Sequence, residues 1–326
     1  MNGKIILCLL TAALLTIAPL VGAQQPKKVA RIGYLSLRPA PFDQDKLFKE
    51  ELRDRGWIDG QNLTIEYRWA AGKVDRLAVL AKELVSAKVD VIVTSSTPSV
   101  QAVKNATNAI PIVMAGAADP VGVGIVASLS HPGGNITGIS LQSPELAGKR
   151  MELLTEIVPN LGRVAFLAYA PDPAHRLFVE EAREAGEALK MQILPLVMQN
   201  LGEIEGAFSK MVRERAGALV VQPLFIGGLG QAKRIIELAG KNRLPTISDG
   251  TQFAELGGLI YYGPSRMELA RRAAALVDKI LKGTRPAELP IEQPTKFELI
   301  INIKSAKQIG LTIPPNVLAR ADRVIK

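Results

Sequence analysis

Three hydroxyl side chains, Ser95, Ser96 and Thr97, follow an apolar stretch of the sequence and come directly before Pro98. Pro98 suits the first position of a helix, and Thr97 suits the N-cap position before it. Hydroxyl groups and free backbone N–H groups at a helix start can bind an anion, so this loop could hold a carboxylate or a phosphate. A plain capped helix would use the same residues, and both interpretations stay open.

Two aspartates follow other apolar stretches and could accept hydrogen bonds from a ligand's amino group. Asp119 comes before Pro120, and Asp249 comes before Gly250. Aspartate is equally typical of turns at such places, so a turn explains either residue just as well. Three more side chains at or near the ends of predicted strands are candidates for ligand contact: Tyr169, Gln222 and Tyr262.

The side chains that most enzymes use for covalent or metal-assisted chemistry are scarce. Cys8 is the only cysteine, and His131 and His175 are the only histidines, so a metal site of three histidines is impossible. The sequence also lacks the G-x-S-x-G, H-E-x-x-H and G-x-x-x-x-G-K-[ST] motifs. We therefore predict no catalytic residue, no metal and no cofactor, and an exported enzyme is the less favoured alternative.

The first 23 residues have the three parts of a secretory signal peptide. Lys4 gives a positive start, residues 5–21 are almost all apolar, and Ala23 is a small residue at the expected cleavage position. We expect cleavage near Ala23 and a periplasmic protein. An uncleaved membrane anchor is the alternative, although the apolar run is slightly short for a membrane span and Pro19 interrupts it.

Strand patterns and helical patterns alternate along the chain in two successive series. Strands are predicted at 29–36, 63–69, 89–94 and 110–114, then at 163–169, 191–198, 218–221 and 245–248, with helical patterns between them. A further helix is predicted at 267–281, a strand at 297–303 and Pro-rich loops around Pro314 and Pro315. This order predicts an α/β protein with two doubly wound parallel-sheet lobes, in which ligands bind at the carboxyl ends of the strands.

The charge pattern argues against nucleic acid as a partner. The 326 residues carry a formal net charge of +9, but the basic residues are scattered and aromatic residues make up only 5% of the chain. Nucleic-acid-binding proteins concentrate basic and aromatic side chains on one surface. We expect a small-molecule ligand, no nucleic acid and a monomer.

Several segments together resemble one known family. The most specific runs from Asp119-Pro120 to a His131-Pro-Gly-Gly-Asn-Ile-Thr-Gly138 segment, and others lie at 31–35, 90–98 and 297–302. In this combination the chain resembles the extracytoplasmic substrate-binding proteins of ABC transporters in the tryptophan/tyrosine-type group. The resemblance implies a type I periplasmic-binding-protein fold, with two lobes joined by a three-strand hinge, and an ABC permease in the inner membrane as partner. A ligand-sensing input for a membrane signalling partner is the alternative function.

The resemblance also implies lobe boundaries. We expect chain crossovers near Ser140, Ser248 and Arg285. Lobe 1 would then contain residues 29–140 and 249–285, and lobe 2 would contain residues 141–248 and 286–326.

The resemblance further implies roles for the candidate residues. Known ligands of the family are aromatic amino acids, so a carboxylate would lie on the Ser95–Thr97 helix start. The ammonium group would lie on Asp249 as first choice and on Asp119 as second. Arg38 occupies the first ligand loop and suggests an acid instead of a simple aromatic amino acid. The rings available for stacking on a ligand are those of Tyr34, Tyr169 and Tyr262.

Overall fold

The computed structural model describes residues 29–38, 41–141, 146–250 and 252–326. The predicted signal peptide, residues 1–23, lies outside these residues. The described chain forms two β-sheets with helices packed against them, as the alternating pattern predicts.

Twelve strands in the described residues form the two sheets. In chain order they are β1 (Ala30–Ser36), β2 (Leu63–Trp69), β3 (Val91–Thr94), β4 (Ile112–Ala117), β5 (Ile136–Ser140), β6 (Arg163–Tyr169), β7 (Gln192–Met198), β8 (Ala218–Val221), β9 (Thr246–Ser248), β10 (Ile260–Pro264), β11 (Phe297–Asn302) and β12 (Arg323–Ile325). The first sheet has the order β2-β1-β3-β4-β5 and is parallel throughout. The second has the order β12-β11-β10-β9-β8-β6-β7, and only its β10–β11 pair is antiparallel. We call the parts built on these sheets lobe 1 and lobe 2.

Helices connect the strands and cover both sheets. In chain order they are α1 (Asp43–Asp54), α2 (Leu77–Ser86), α3 (Thr97–Ala106), α4 (Ala147–Ile157), α5 (His175–Ala188), α6 (Ile204–Arg213), α7 (Leu224–Gly227), α8 (Ala232–Lys241), α9 (Arg266–Leu281), α10 (Ile303–Gln308) and α11 (Pro315–Leu318). Short 3-10 helices lie at Val74–Arg76, Leu201–Glu203 and Pro286–Glu288. The short helix α11 replaces part of the loop predicted around Pro314 and Pro315.

The central strands are apolar because helices cover both faces of each sheet. All four residues of β3 are buried, and so are all six of β4. Helix α1 turns Phe48 and Leu52 toward the core of lobe 1. It is followed by Gly56, whose φ of +89° belongs to the left-handed region that glycine favours after a helix. The sheets therefore fix where each strand ends, and the loops at those ends are held by buried elements.

The structure corrects two of the three predicted crossovers. The prediction placed residues 249–285 in lobe 1, but β10 lies in the second sheet between β9 and β11. The chain returns to lobe 1 only after Pro264, where α9 packs against α1 and β4. The last crossing also comes later than Arg285, because Glu292 still pairs with Ile139 of β5. The pairing of the strands decides where the chain crosses between the lobes. The local pattern of apolar residues does not show which strands will pair.

Candidate ligand-binding cleft

A cavity of about 130 Å³ lies between the two lobes. It is formed where strands of both sheets end, which is the usual binding place in open parallel sheets. Lobe 1 lines it with Ser36, Leu37, Arg38, Gln44, Ser95, Ser96, Thr97, Ala115, Gly116, Ala118 and Leu269. Lobe 2 lines it with Asp172, Phe178, Pro223, Leu224, Gly227, Gly228, Asp249 and Gly250, and Leu141 follows β5.

The Ser95–Thr97 loop forms part of the lobe 1 wall. Helix α3 begins at Thr97 with Ser96 as N-cap residue, so the cap lies one residue earlier than the sequence suggests. Ser96 has a φ of +73°, its N–H donates to the carbonyl of Gly116 at 2.9 Å, and its Oγ lies 2.9 Å from Ser99 Oγ. The first N–H groups of a helix have no acceptor within the helix. This wall therefore presents hydroxyl and N–H donors to the cavity.

Arg38 is the positive side chain of the lobe 1 wall. It is buried, and its guanidinium donates to the Asp45 carboxylate and, at 3.0 Å, to Ser36 Oγ. The guanidinium carbon also lies 4.9 Å from the centre of the Phe42 ring and 5.7 Å from that of the Trp69 ring. These contacts fix the position of the charge at the cavity wall. The remaining donors of the planar guanidinium suit a carboxylate.

Asp249 lines the cavity from lobe 2, where it follows β9. Its carboxylate Oδ2 lies 3.2 Å from Arg150 Nη1 of α4, and both side chains are at most 3% exposed. This is a buried ion pair within lobe 2. The charge of Asp249 is therefore balanced by the protein itself.

Asp172 is a second acid of the lobe 2 wall, and it is not among the site residues predicted from the sequence. It is 3% exposed. Its Oδ1 accepts a hydrogen bond from the Ala174 N–H at 3.0 Å, and its Oδ2 accepts one from Gln222 Nε2 at 2.7 Å. Burial raises the pKa of Asp172 to about 7, and the hydrogen bond from the Ala174 N–H offsets only part of this rise.

Two predicted site residues lie behind the cavity wall and support it. Tyr34 packs against Phe48 and Tyr67 in lobe 1, and its hydroxyl accepts a hydrogen bond from Arg38 Nη2 at 3.3 Å. Burial raises the pKa of the Tyr34 hydroxyl, so the group stays neutral. Gln222 is fully buried and links Asp172 to the backbone N–H of Tyr169.

Three other predicted residues do not line the cavity. Asp119 Oδ1 accepts hydrogen bonds from the N–H groups of Val121 and Gly122, so the turn interpretation describes it. The Tyr169 ring packs edge-on against Phe225, with ring centres 5.9 Å apart. The ring of Tyr262 stacks against Phe297, with ring centres 6.3 Å apart. The tyrosine rings are used for packing within the lobes.

The lobes touch each other around the cavity. A β-carbon added at Gly72 of lobe 1 would lie 3.1 Å from the carbonyl oxygen of Leu229 in lobe 2. One added at Gly228 of lobe 2 would lie 3.0 Å from Leu37 Cδ2 in lobe 1. One cluster of buried apolar residues accordingly contains members of both lobes. The structure thus shows the cleft with its two walls in contact.

The described residues contain neither a metal-binding cluster of His, Cys, Asp and Glu side chains nor a candidate membrane-spanning helix. Within the described ranges, no three His, Cys, Asp or Glu side chains come close enough together to hold a metal ion. None of the helices in the described part of the chain is long and apolar enough to cross a membrane.

Comparison with known proteins agrees with this architecture. A tyrosine-binding protein of Clostridioides difficile (strain R20291) is 26% identical, over 95% of this chain and 93% of that protein. A crystal structure of an ABC domain in complex with L-Trp, from Streptococcus pneumonia, is 27% identical with a TM-score of 0.82, over 91% of this chain and 99% of that one. A ligand-free, open substrate binding protein with adhesive properties from Clostridium difficile is 25% identical with a TM-score of 0.66, over 91% of this chain and all of that one.

The fold and the sequence point to the same family. Two α/β lobes with largely parallel sheets are the architecture of the type I periplasmic binding proteins. A sequence model described as ABC transporter substrate binding protein matches residues 38–325, which is most of the chain. The chain belongs to the family of ABC transporter substrate binding proteins.

Proposed function

We propose that this protein is an extracytoplasmic receptor that captures an amino acid in the cleft and delivers it to an ABC permease. The observation that carries the proposal is the opposite chemistry of the two cleft walls. Lobe 1 presents the guanidinium donors of Arg38 and the donor groups of the Ser95–Thr97 loop, whereas lobe 2 presents the carboxyl group of Asp172 beside the ion-paired carboxylate of Asp249. A ligand with a carboxylate and an ammonium group would bridge the two walls.

The names of two relatives support an amino acid as the ligand. One is called a tyrosine-binding protein, and the other was solved with L-Trp. The cavity is also lined by apolar side chains that suit the ligand's side chain, among them Phe178, Leu224 and Leu269. Its volume of about 130 Å³ is close to that of an engineered cavity that holds benzene, at roughly 150 Å³.

Closure of the lobes would turn binding into a signal for the permease. A ligand that contacts both walls binds the closed form better than the open form, and this difference in affinity sets the closed fraction. The described chain has its lobes in contact. It is also more similar to the L-Trp complex than to the open, ligand-free relative, by TM-scores of 0.82 and 0.66 at nearly equal identity.

Export follows from the same proposal. A receptor that serves a permease in the inner membrane must work outside the cytoplasm, which agrees with the predicted signal peptide and cleavage near Ala23. We propose a periplasmic monomer with a small-molecule ligand and no nucleic-acid partner.

A thermal-shift screen of the mature chain from Gln24 tests the function. The ligands are L-tyrosine, L-tryptophan and L-leucine, each compared with its decarboxylated amine and its deaminated acid. A true ligand at about 100 times its Kd should stabilise the protein by about 2.7 kcal/mol, which raises the Tm measurably. Stabilisation by a complete amino acid and by neither analogue supports the two-wall arrangement. Stabilisation by the deaminated acid alone would limit recognition to the lobe 1 wall.

A pair of arginine variants tests the assignment of the cleft. Arg38→Met should abolish the shift caused by the amino acid, because the lobe 1 wall loses its cation. Arg213→Met changes the same residue type on the exposed face of α6 and should leave the shift intact. An unchanged shift in the Arg38 variant would contradict the assignment.

A further inference from the structure

Three buried aspartates lie at or directly behind the cavity, and they differ in how their charge is balanced. The Asp45 carboxylate pairs with Arg38, and the Asp249 carboxylate pairs with Arg150. Asp172 makes no ion pair with any residue in the described ranges, although it is 3% exposed. It is the one member of this group of three whose negative charge would need a cation from outside the protein.

The surroundings of Asp172 fix its carboxyl group without supplying that cation. From β8 comes the neutral amide of Gln222, and from the start of α5 comes the backbone N–H of Ala174. The ring of His175, also in α5, is directed to the backbone carbonyl of Asp172, with Nδ1 2.8 Å from that oxygen. The other charged groups at the cavity are already paired with each other: Arg38 with Asp45, and Arg150 with Asp249.

We propose that Asp172 binds the ammonium group of the ligand and gives up a proton when it does so. This inference rests on the proposed function. In the closed cleft without ligand, the carboxyl group holds a proton below a pH of about 7. The arriving ammonium group takes the place of that proton as the positive charge beside the carboxylate, and the proton leaves to solvent. No covalent bond to the ligand forms, and charge is conserved because one cation replaces another.

The energetics of the site agree with this exchange. Burial raises the pKa of Asp172 to about 7, so the proton is bound over most of the acidic range. A charge on Asp172 without a partner would carry a free-energy penalty, because water is largely excluded from the site. A ligand ammonium group removes this penalty and forms a charge-assisted hydrogen bond. The family resemblance implies this role for Asp249 first, but Arg150 already neutralises that residue.

The proposal predicts how affinity depends on pH. Below a pH of about 7 the ligand competes with a bound proton, so the affinity should fall as the pH is lowered. Above it the carboxylate is free of the proton, and the affinity should level off. With a pKa of about 7, the Kd at pH 5.5 should be about thirtyfold higher than at pH 8.

Equilibrium binding of L-tyrosine and of L-tryptophan, measured by calorimetry between pH 5.5 and 8.5, tests the proposal. In the wild-type chain the Kd should follow the predicted curve, and one proton should be released per ligand below pH 6. Asp172→Asn should bind more weakly at pH 8 and lose the pH dependence. Asp119→Asn, a matched change outside the cavity, should keep the wild-type curve.

The outcomes separate this inference from the proposed function. Binding that does not change with pH, or an Asp172→Asn variant with the wild-type curve, would overturn the exchange and leave the receptor function standing. Loss of the curve in Asp119→Asn alone would move the role to that residue. Binding of neither amino acid at any pH would overturn the proposed function, and this inference with it.

A measurement without ligand checks the first half of the exchange. The pKa of Asp172 in the folded chain lies above the usual aspartate value, so the bound proton stabilises the folded state at acidic pH. This stabilisation is lost as the pH rises through about 7. The Tm of the wild-type chain, relative to that of Asp172→Asn, should therefore fall between pH 5 and pH 8. A constant difference would contradict a proton on Asp172.

Discussion

Asp45 holds Arg38 in place and is itself buried in lobe 1. Its carboxylate accepts hydrogen bonds from the Arg38 guanidinium and, at 2.7 Å, from the backbone N–H of Phe42 at the start of α1. We expect Asp45→Ala to lower the free energy of unfolding by about 3–5 kcal/mol, because the charge of Arg38 would stay buried without a partner. Urea unfolding followed by circular dichroism measures this loss.

An exposed ion pair provides the control for this prediction. Oε2 of Glu152 in α4 lies 2.9 Å from Lys149 Nζ, and the two side chains are 50% and 43% exposed. Glu152→Ala should change the free energy of unfolding by at most about 1 kcal/mol, since water screens and solvates both charges. Similar losses in the two variants would mean that burial does not set the strength of the Arg38–Asp45 pair.

The sequence predicts some cleft residues better than others, and the reason is their distance from a recognisable strand end. Ser95 to Thr97 and Asp249 follow strands directly, so their place at the cavity could be expected. Asp172 lies between two prolines and has the appearance of a turn residue. Its buried carboxyl group accepts a hydrogen bond from Gln222, which lies 50 residues later in the chain. The local sequence around Asp172 does not show such a contact.

At the scale of the elements, the close approach of strands β4 and β5 depends on Gly138, which has no side chain. Gly138 of β5 has a φ of +145°, and an added β-carbon would lie 2.5 Å from the backbone nitrogen of Met114 in β4. The backbone of a central strand cannot move away easily. We expect Gly138→Ala to lower the free energy of unfolding by about 3–5 kcal/mol, through overpacking and backbone strain together. Chemical unfolding of the purified variant measures the effect.

A glycine in a helix gives the opposite expectation for the same substitution. Gly206 of α6 is exposed, and no atom lies within 4 Å of an added β-carbon. Gly206→Ala should raise the free energy of unfolding by about 0.5–1 kcal/mol, because alanine loses less backbone entropy in a helix. If both glycine variants were destabilised equally, the close approach at Gly138 would not be the cause.

The elements themselves were predicted well where a local pattern defines them. The strands at 63–69, 163–169 and 218–221 are confirmed with the same limits, and the helices that were predicted are confirmed within a few residues. Strands β5, β10 and β12 and helix α4 are absent from the prediction. Strand β12 has only three residues, and the place of β10 is set by its pairing with β9 and β11. Local sequence periodicity carries no information about which strand will be the neighbour.

For the molecule as a whole, function depends on the balance between an open and a closed cleft. Gly72 and Leu37 of lobe 1 lie against Leu229 and Gly228 of lobe 2, and a separation of the lobes would break these contacts. The apparent affinity equals the affinity of the closed form reduced by the fraction of the protein that can close. A residue far from the ligand can therefore change affinity through the contact between the lobes.

Gly72 offers the sharpest test of this coupling. Gly72→Ala would place a methyl group 3.1 Å from the Leu229 carbonyl oxygen, so the lobes would have to separate slightly. We expect the affinity for the amino acid found in the screen to fall about tenfold, because the closed form becomes less favourable.

Gly60→Ala is the matched control, since Gly60 has a similar positive φ of +84° but no atom within 4 Å of an added β-carbon. Both variants should lose similar stability from backbone strain. Only Gly72→Ala should also keep a larger radius of gyration with ligand bound, measured by small-angle X-ray scattering. Equal affinities in the two variants would show that this contact does not limit closure.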